Sequence, residues 1–367
     1  MTLCLNMIVK NESRVIKRCL QSVKKIIDYW VIVDTGSMDG TQQIIKECMA
    51  GLPGELHERP WVDFSHNRNE ALALAKNKGD YLLFMDADEQ LMLFDFDKKK
   101  LINNSYFIRL KERGNIETYR LAIVKNDGNW RWRRPLHESI SHSREDHMKS
   151  EELPGLIIDG TALDGNRSSD TEKHLKDLKV LKKALREDPS DSHTVFYLAQ
   201  TYGWGNQLST ALEYYHQRVA MEGYFYETFW SLYCIGILQE YLNMDPELFI
   251  PSYRAAHEYD PTRAEPLYRM AHYLHRTRQS QAAYPIVKQA ISLSQTPLPF
   301  HAVQTWIYDY GLLTLFADVA YAVGEKKEAL CACKQLLSDE KLPKEIKTLV
   351  KKNFASLESR WPQKLYA

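Results

Sequence analysis

Leu3-Cys4-Leu5-Asn6-Met7-Ile8-Val9 runs into Lys10-Asn11-Glu12-Ser13, and the same design recurs twice before residue 90. Residues 29–33 stop at Asp34-Thr35-Gly36-Ser37, and residues 81–85 stop at Asp86-Ala87-Asp88-Glu89. Each is a short apolar run, rich in β-branched or aromatic residues and bounded by breakers, which reads as a buried strand. Between the first two, residues 13–27 set Val15, Ile16, Cys19, Leu20, Val23, Ile26 and Ile27 at helical spacing. Residues 41–49 and 67–76 repeat the helical pattern ahead of the third strand. Strand, helix, strand, helix, strand in that order implies parallel pairing through crossover helices, an α/β sheet. Residues 106–110 and 119–124 add two more strands, for which antiparallel pairing is open.

Beyond about residue 170 glycine thins out and the pattern turns helical. Val195, Leu198, Ala199, Tyr202, Ala211 and Tyr215 fall at the offsets of a tetratricopeptide repeat. Leu267, Met270, Ala271, Leu274, Ala283, Val287 and Ala290 do so again, as do Leu313, Phe316, Ala317, Ala320, Ala329, Cys333 and Leu336. Ile235-Gly236, Ala256 and Pro261 form a looser copy. Small residues at these offsets let two helices approach closely, and stacked pairs bury what one pair leaves exposed. The competing reading is a generic bundle whose alanines coincide with the pattern. The organisation expected is an α/β domain over residues 1–165, a linker helix over 166–190 and a helical repeat domain over 191–367.

Composition narrows the function. A chain of 367 residues exceeds one ordinary core. Lys+Arg 48 balances Asp+Glu 48, without the basic excess of a protein that grips nucleic acid through its phosphates. The 6 cysteines are scattered without metal-ligand spacing and read as reduced thiols. No apolar stretch reaches the roughly eighteen residues needed to span a bilayer, and residues 1–9 carry no signal-peptide pattern. A cytoplasmic location is the expectation.

In an open parallel sheet, ligands bind beyond the carboxyl ends of the strands, where all three polar clusters fall. Asp86 and Asp88, at i and i+2, can face the same way and offer hard oxygen ligands to Mg²⁺ or Mn²⁺. The triplet reads equally as a cap or a solvated turn. Asp34 is placed to accept hydrogen bonds from a base or ribose, while Asp39 or Thr41 can simply cap the next helix. Arg68, early in a helix, is either a surface charge or a donor to a phosphate at the helix start.

Together, Asn6-Met7-Ile8-Val9-Lys10-Asn11-Glu12, Val33-Asp34-Thr35-Gly36-Ser37, Asp39-Gly40-Thr41, Phe64-Ser65 with Arg68-Asn69, and Asp86-Ala87-Asp88-Glu89 resemble the family 2 glycosyltransferases of the GT-A fold. The resemblance runs from Leu3 to about Asp159. With its helical tail, the chain is similar to bacterial transferases that join this domain to tetratricopeptide repeats, among them the S-glycosyltransferases of glycocin biosynthesis. The fold so implied is an α/β GT-A domain followed by an all-α repeat domain. The resemblance further implies a UDP-sugar donor, UDP-glucose or UDP-N-acetylglucosamine, with Mn²⁺ or Mg²⁺ as cofactor. It places Val9, Glu12 and Asp34 near the base, Arg68 near the diphosphate, and Asp86 and Asp88 at the metal and ribose.

Trp130-Arg131-Trp132-Arg133-Arg134-Pro135-Leu136-His137-Glu138 is similar to the His-Glu motif of inverting relatives. That makes Glu138 the candidate base, with His137 the runner-up or a neighbour of the metal. The alternative is that His137-Glu138 merely bounds a strand and pairs with Arg133 or Arg134. Where relatives often carry a metal-binding His-x-Gly, this chain has Ile158-Asp159-Gly160, so Asp159 is the third candidate ligand. No glutamine precedes Arg131-Trp132 in the Gln-x-x-Arg-Trp pattern of processive polysaccharide synthases.

Three functions therefore compete. The first is an inverting transferase acting on a peptide, protein or saccharide. The second is a transferase-like scaffold working through its repeats. The third is a nucleotidyltransferase, which would release pyrophosphate. Tyr224, Phe225, Tyr226, Phe229 and Trp230 are too dense for one helical stripe, so some are expected at the surface. There, with Trp130 and Trp132, they border an acceptor route or serve an interface, a homo-oligomer through the repeats included.

Overall fold

The computed structural model describes residues 1–113, 116–144, 150–162, 164–167, 169–293 and 303–359. They fall into two compact units, Met1–Ala211 and the part from Leu212 onward.

The first unit is built on a sheet in the order β3-β2-β1-β4-β7-β6-β10-β5. Its strands are β1 (Leu3–Val9), β2 (Tyr29–Asp34), β3 (Gly54–Glu58), β4 (Tyr81–Phe84), β5 (Gln90–Leu93), β6 (Ser105–Glu112), β7 (Ile116–Lys125) and β10 (Ser150–Asp159). β1 pairs in parallel with β2 and β4, and β2 with β3, as the strand–helix alternation requires. β4 and β6 flank β7 in antiparallel pairing, so the second half of the sheet is mixed. The two later apolar runs are thus strands of opposite direction to each other. A separate hairpin, β8 (Trp130–Arg133) with β9 (Ser139–His142), stands beside the sheet.

Both faces of the central strands are buried. Leu3, Leu5 and Met7 point into a core with Ile16, Cys19 and Leu20 of α1 (Ile16–Val23) and Ile45 of α2 (Thr41–Cys48). Cys4, Val31, Leu82 and Phe84 face the other way, against Leu72, Ala75 and Trp132. The helix on that side is α3 (Phe64–Leu74), capped by Asp63, whose side chain accepts from the His66 N–H. β3, like β5, β8 and β9, is a strand that the apolar runs do not announce: it is an edge strand of half-buried residues with no apolar run. Its Gly54 lies flat against Trp30, where a Cβ would come within 2.2 Å of the indole.

Two helices follow within the first unit, α4 (Lys173–Glu187) and α5 (Ser192–Trp204), packed on each other. α6 (Leu208–Val219) leads out of it. In the second unit, α7 (Phe225–Tyr241) packs on α8 (Pro246–Tyr259), α9 (Glu265–Arg276) on α10 (Ser280–Ser292), and α11 (Leu312–Ala322) on α12 (Lys326–Ser338). α13 (Lys344–Ser359) closes the row against α12. The small residues at the repeat offsets are where the helices touch: Ala256, Ala271, Ala283, Ala290, Ala320 and Ala329 are fully buried. Gly236 meets Tyr253 so closely that a Cβ would sit 2.6 Å from the ring. Of the dense aromatic stretch, Phe229 is buried whereas Tyr224 and Phe225 are exposed, the latter stacked on Tyr259. Among the described residues no helix is long and apolar enough to cross a membrane.

Candidate active site

Because β1, β2 and β4 run the same way, their polar ends meet at one edge of the sheet. The two loops there lock each other. The Asn11 N–H donates to Ser37 Oγ, the Met38 N–H to Asn11 Oδ1 and the Glu12 N–H to Thr41 Oγ1, each at 2.8 Å. Asp34 is fully buried beneath this edge. Its Oδ1 accepts from the Gly36 and Ser37 N–H groups at 2.8 and 2.7 Å, while Oδ2 has no partner among the described residues. A buried carboxylate oxygen left without a donor is costly, which marks Asp34 as a residue set up for something other than the turn alone.

Beyond the edge opens a cavity of about 1220 Å³ in the first unit. Its walls carry Val9, Glu12, Arg68, Asp86, Asp88, His137 and Glu138. Asp34 and Asp159 are outside the lining. Asp159 does not join Asp86 and Asp88: its Oδ1 accepts from the Thr161 N–H at 3.0 Å and from the Thr161 hydroxyl at 2.7 Å, as a turn aspartate does. Among the described residues no three acidic, histidine or cysteine side chains gather as a metal cage.

Arg68 is the centre of the arrangement. Its Nε donates to Glu138 Oε1 and its Nη2 to Asp86 Oδ1, both at 2.6 Å. Its guanidinium lies 4.9 Å from the Trp132 ring centroid and is only 8% exposed. Burial would pull its pKa down, but the charges of Asp86 and Glu138 outweigh that and raise it. Arg120 supports the same group from β7, forking onto Glu89 at 2.8 and 2.6 Å with Asp86 Oδ2 at 3.5 Å. Burial alone would raise the Asp86 pKa, yet the two guanidinium charges bring it below the usual carboxylate range.

Glu12 behaves in the opposite way. Burial, with the nearby Asp88, Asp39 and Asp86 charges, lifts its pKa to about 7, although its Oε2 accepts from the Asn166 N–H at 3.0 Å. Asp88 is packed under Gly165, where a Cβ would come 2.6 Å from Asp88 Oδ2, and Arg18 donates to its carbonyl at 3.0 Å. His137 is pushed down to about 3, by burial first and then by the charges of His193, Lys173 and Arg167. It is therefore neutral at physiological pH and a weak proton acceptor, unsuited to the role of base. Its ring stacks on Tyr197 of α5 with centroids 3.7 Å apart and planes at 8°.

The sequence reading missed Arg120, Lys173, His193 and Tyr197 as cavity residues. Arg120 had a signal, a cation in the middle of an apolar strand run. Tyr197 had none, because it is one of many aromatics in a helical stretch.

At this sheet edge the N-terminal part, a mixed α/β domain, is similar to the family 2 glycosyltransferases, and helix pairs with small residues at tetratricopeptide offsets follow it. Residues 4–96 match the family model described as Glycosyl transferase family 2. Among relatives, a TPR repeat-containing protein of Synechococcus elongatus is 35% identical over 145 residues, 37% of this chain and 35% of that protein. The glycosyltransferase SunS of Bacillus phage SPbeta is 36% identical over 88 residues, 24% of this chain and 20% of SunS. An uncharacterized glycosyltransferase of Rickettsia felis is 36% identical over 84 residues, 23% of this chain and 28% of that protein. The chain thus spans about a third or less of the length of these curated relatives. Among solved structures, a thermophilic TPR protein of Thermus thermophilus aligns with 51% of this chain and 91% of its own at 20% identity and a TM-score of 0.33.

Proposed function

We propose that the protein is an inverting glycosyltransferase that moves a hexose from a UDP-sugar, UDP-glucose or UDP-N-acetylglucosamine, to a peptide, protein or saccharide acceptor. The observation that carries this is the double grip of Arg68, which brings the donor-side Asp86 and the acceptor-side Glu138 onto one guanidinium. In a direct displacement, the base and the leaving group must flank the same anomeric carbon. Glu138 takes the proton of the acceptor hydroxyl or thiol, the acceptor atom bonds to the anomeric carbon, and the bond to the diphosphate breaks with its electrons leaving on UDP.

The Arg68 pairing gives that step an order. A carboxylate tied to a guanidinium is a poor proton acceptor. Entry of the donor diphosphate offers Arg68 a competing bidentate anion, and Glu138 is released as base once the donor is in place. Val9 and Glu12 line the cavity where the base would lie, and Asp34, fully buried behind that wall, shapes the edge through Gly36 and Ser37.

A Mg²⁺ or Mn²⁺ ion fits the donor set as a phosphate-sharing site. Such ions take one or two carboxylates, the remaining ligands coming from water and phosphate. Asp88 would hold it, with Asp86 joining once Arg68 leaves its Oδ1 for the diphosphate, and Asp159 is not part of it. The ion's contribution when bound is to offset charge on the departing diphosphate.

A second reading, a transferase-like scaffold without turnover, draws on the same ion pairs, because Asp86 and Glu138 are neutralised before any ligand arrives. Calorimetric titration with UDP and Mn²⁺ tests the donor site: the protein binds UDP, and Asp88→Ala weakens binding at least about tenfold. Equal binding by both proteins removes Asp88 from the site. Mass spectrometry of mixed UDP-sugars and candidate acceptors then separates transfer from binding alone.

A further inference from the structure

We infer that α5, the first helix after the α4 linker, acts as a clamp on the catalytic turn, with Tyr197 and His193 as positioning residues that fix His137 and so aim the Glu138 carboxylate. This rests on the reading of Glu138 as the base.

The turn between β8 and β9 is held in an unfavourable shape. Arg134 and His137 both adopt left-handed backbone, with φ of 75° and 52°. Residues with a Cβ take up that region uncommonly, Arg more rarely than His, and where they do their surroundings hold them there. Here the surroundings come from α5. The Arg134 guanidinium forks onto Asp191, at 3.0 and 3.1 Å, and Asp191 Oδ2 also accepts from the Thr194 hydroxyl at 2.6 Å. His193 Nε2 donates to the His137 carbonyl at 3.1 Å. The His137 ring lies flat on Tyr197, and the His193 ring meets Tyr197 edge-on at 4.7 Å.

Glu138, the next residue, therefore stands between two grips. α5 fixes the backbone immediately before it, and Arg68 of α3 holds its carboxylate at 2.6 Å. When the diphosphate draws Arg68 away, the α5 grip is what keeps the carboxylate facing the reacting carbon. Losing about an ångström of that placement is enough to cost roughly a hundredfold in rate. Simple packing between helix and hairpin would show instead as lost stability with turnover unchanged.

The test uses the full chain with Mn²⁺ and either UDP-glucose or UDP-N-acetylglucosamine, following UDP release, with UDP affinity measured separately. Tyr197→Ala is expected to keep its UDP affinity and KM while kcat falls about 10- to 100-fold. Tyr197→Phe, which retains the stacked ring, recovers most of that loss. His193→Ala removes the hydrogen bond to the His137 carbonyl and the edge-on contact with Tyr197 but leaves the His137–Tyr197 stack, so it carries the test should Tyr197→Ala not fold; its kcat also falls with KM unchanged. Inactive Glu138→Gln together with fully active Tyr197→Ala or His193→Ala overturns the clamp alone. Glu138→Gln working at the wild-type rate overturns the base assignment beneath it.

Discussion

The two sides of the cavity are held by different means. The edge proposed to hold the donor, from Val9 to Thr41, is tied by hydrogen bonds between neighbouring loops: Asn11 with Ser37 and Met38, Glu12 with Thr41, Asp34 with Gly36 and Ser37. The side proposed to meet the acceptor, Arg134 to Glu138, has few such local ties. It is shaped by Arg68 about seventy residues before it and by Asp191, His193 and Tyr197 about sixty after it. A local scaffold tolerates change at a distance, whereas a turn held from outside inherits every change made to its holders.

That contrast is broken most severely at Arg68, which serves both sides. Arg68→Ala leaves Glu138 and Asp86 as neighbouring carboxylates, one of them nearly buried, with their common partner gone. A loss of about 3 kcal/mol in unfolding free energy is expected from urea denaturation at pH 7. A loss below about 0.5 kcal/mol would mean that the two sides stand without it.

A smaller effect sharpens the donor side. The Glu12 pKa is lifted to about 7 in the folded chain against an unfolded value of 4.5. The folded state then binds the proton more tightly, so stability falls as pH rises from 4.5 to about 7 and is level above. Glu12→Gln removes that decline and is more stable than wild type at pH 8 by about 1 kcal/mol, a figure reduced because the side chain keeps some contact with solvent. Thermal unfolding followed from pH 4 to pH 8 measures the slope; a parallel profile in both proteins contradicts it.

The smallest effect belongs to Asp159. Its carboxylate serves the turn at Thr161, so Asp159→Asn changes stability by no more than about 0.5 kcal/mol and leaves UDP affinity in Mn²⁺ unaltered. A tenfold weakening in calorimetry would restore it to the metal site.

The same contrast explains what could be read from the chain beforehand. β1, β2 and β4 were legible because strands buried on both faces are near-continuous apolar runs, broken in β1 only by Asn6, and their polar ends are contiguous in sequence. The small residues of the repeats were legible for a similar reason, since each helix pair repeats one local pattern. β3 was hidden because an edge strand needs no apolar face. The assignment of Asp159 to a metal rested on its standing where relatives carry a His-x-Gly, and Thr161 uses that carboxylate through its N–H and hydroxyl. Tyr197 and His193 were beyond reach. Nothing near them in sequence reports that their ring and imidazole meet a turn about sixty residues earlier.

The central claim is that the sheet edge and the β8–β9 turn form one transfer site, with Glu138 acting on the acceptor and not on the donor. Glu138→Gln, compared with wild type for UDP affinity and for UDP release from the UDP-sugar in Mn²⁺, tests it most directly. Expected for Glu138→Gln are a UDP affinity within about twofold of wild type and a release rate lower by about a hundredfold or more. Release at the wild-type rate, or UDP affinity lost along with it, would contradict that division.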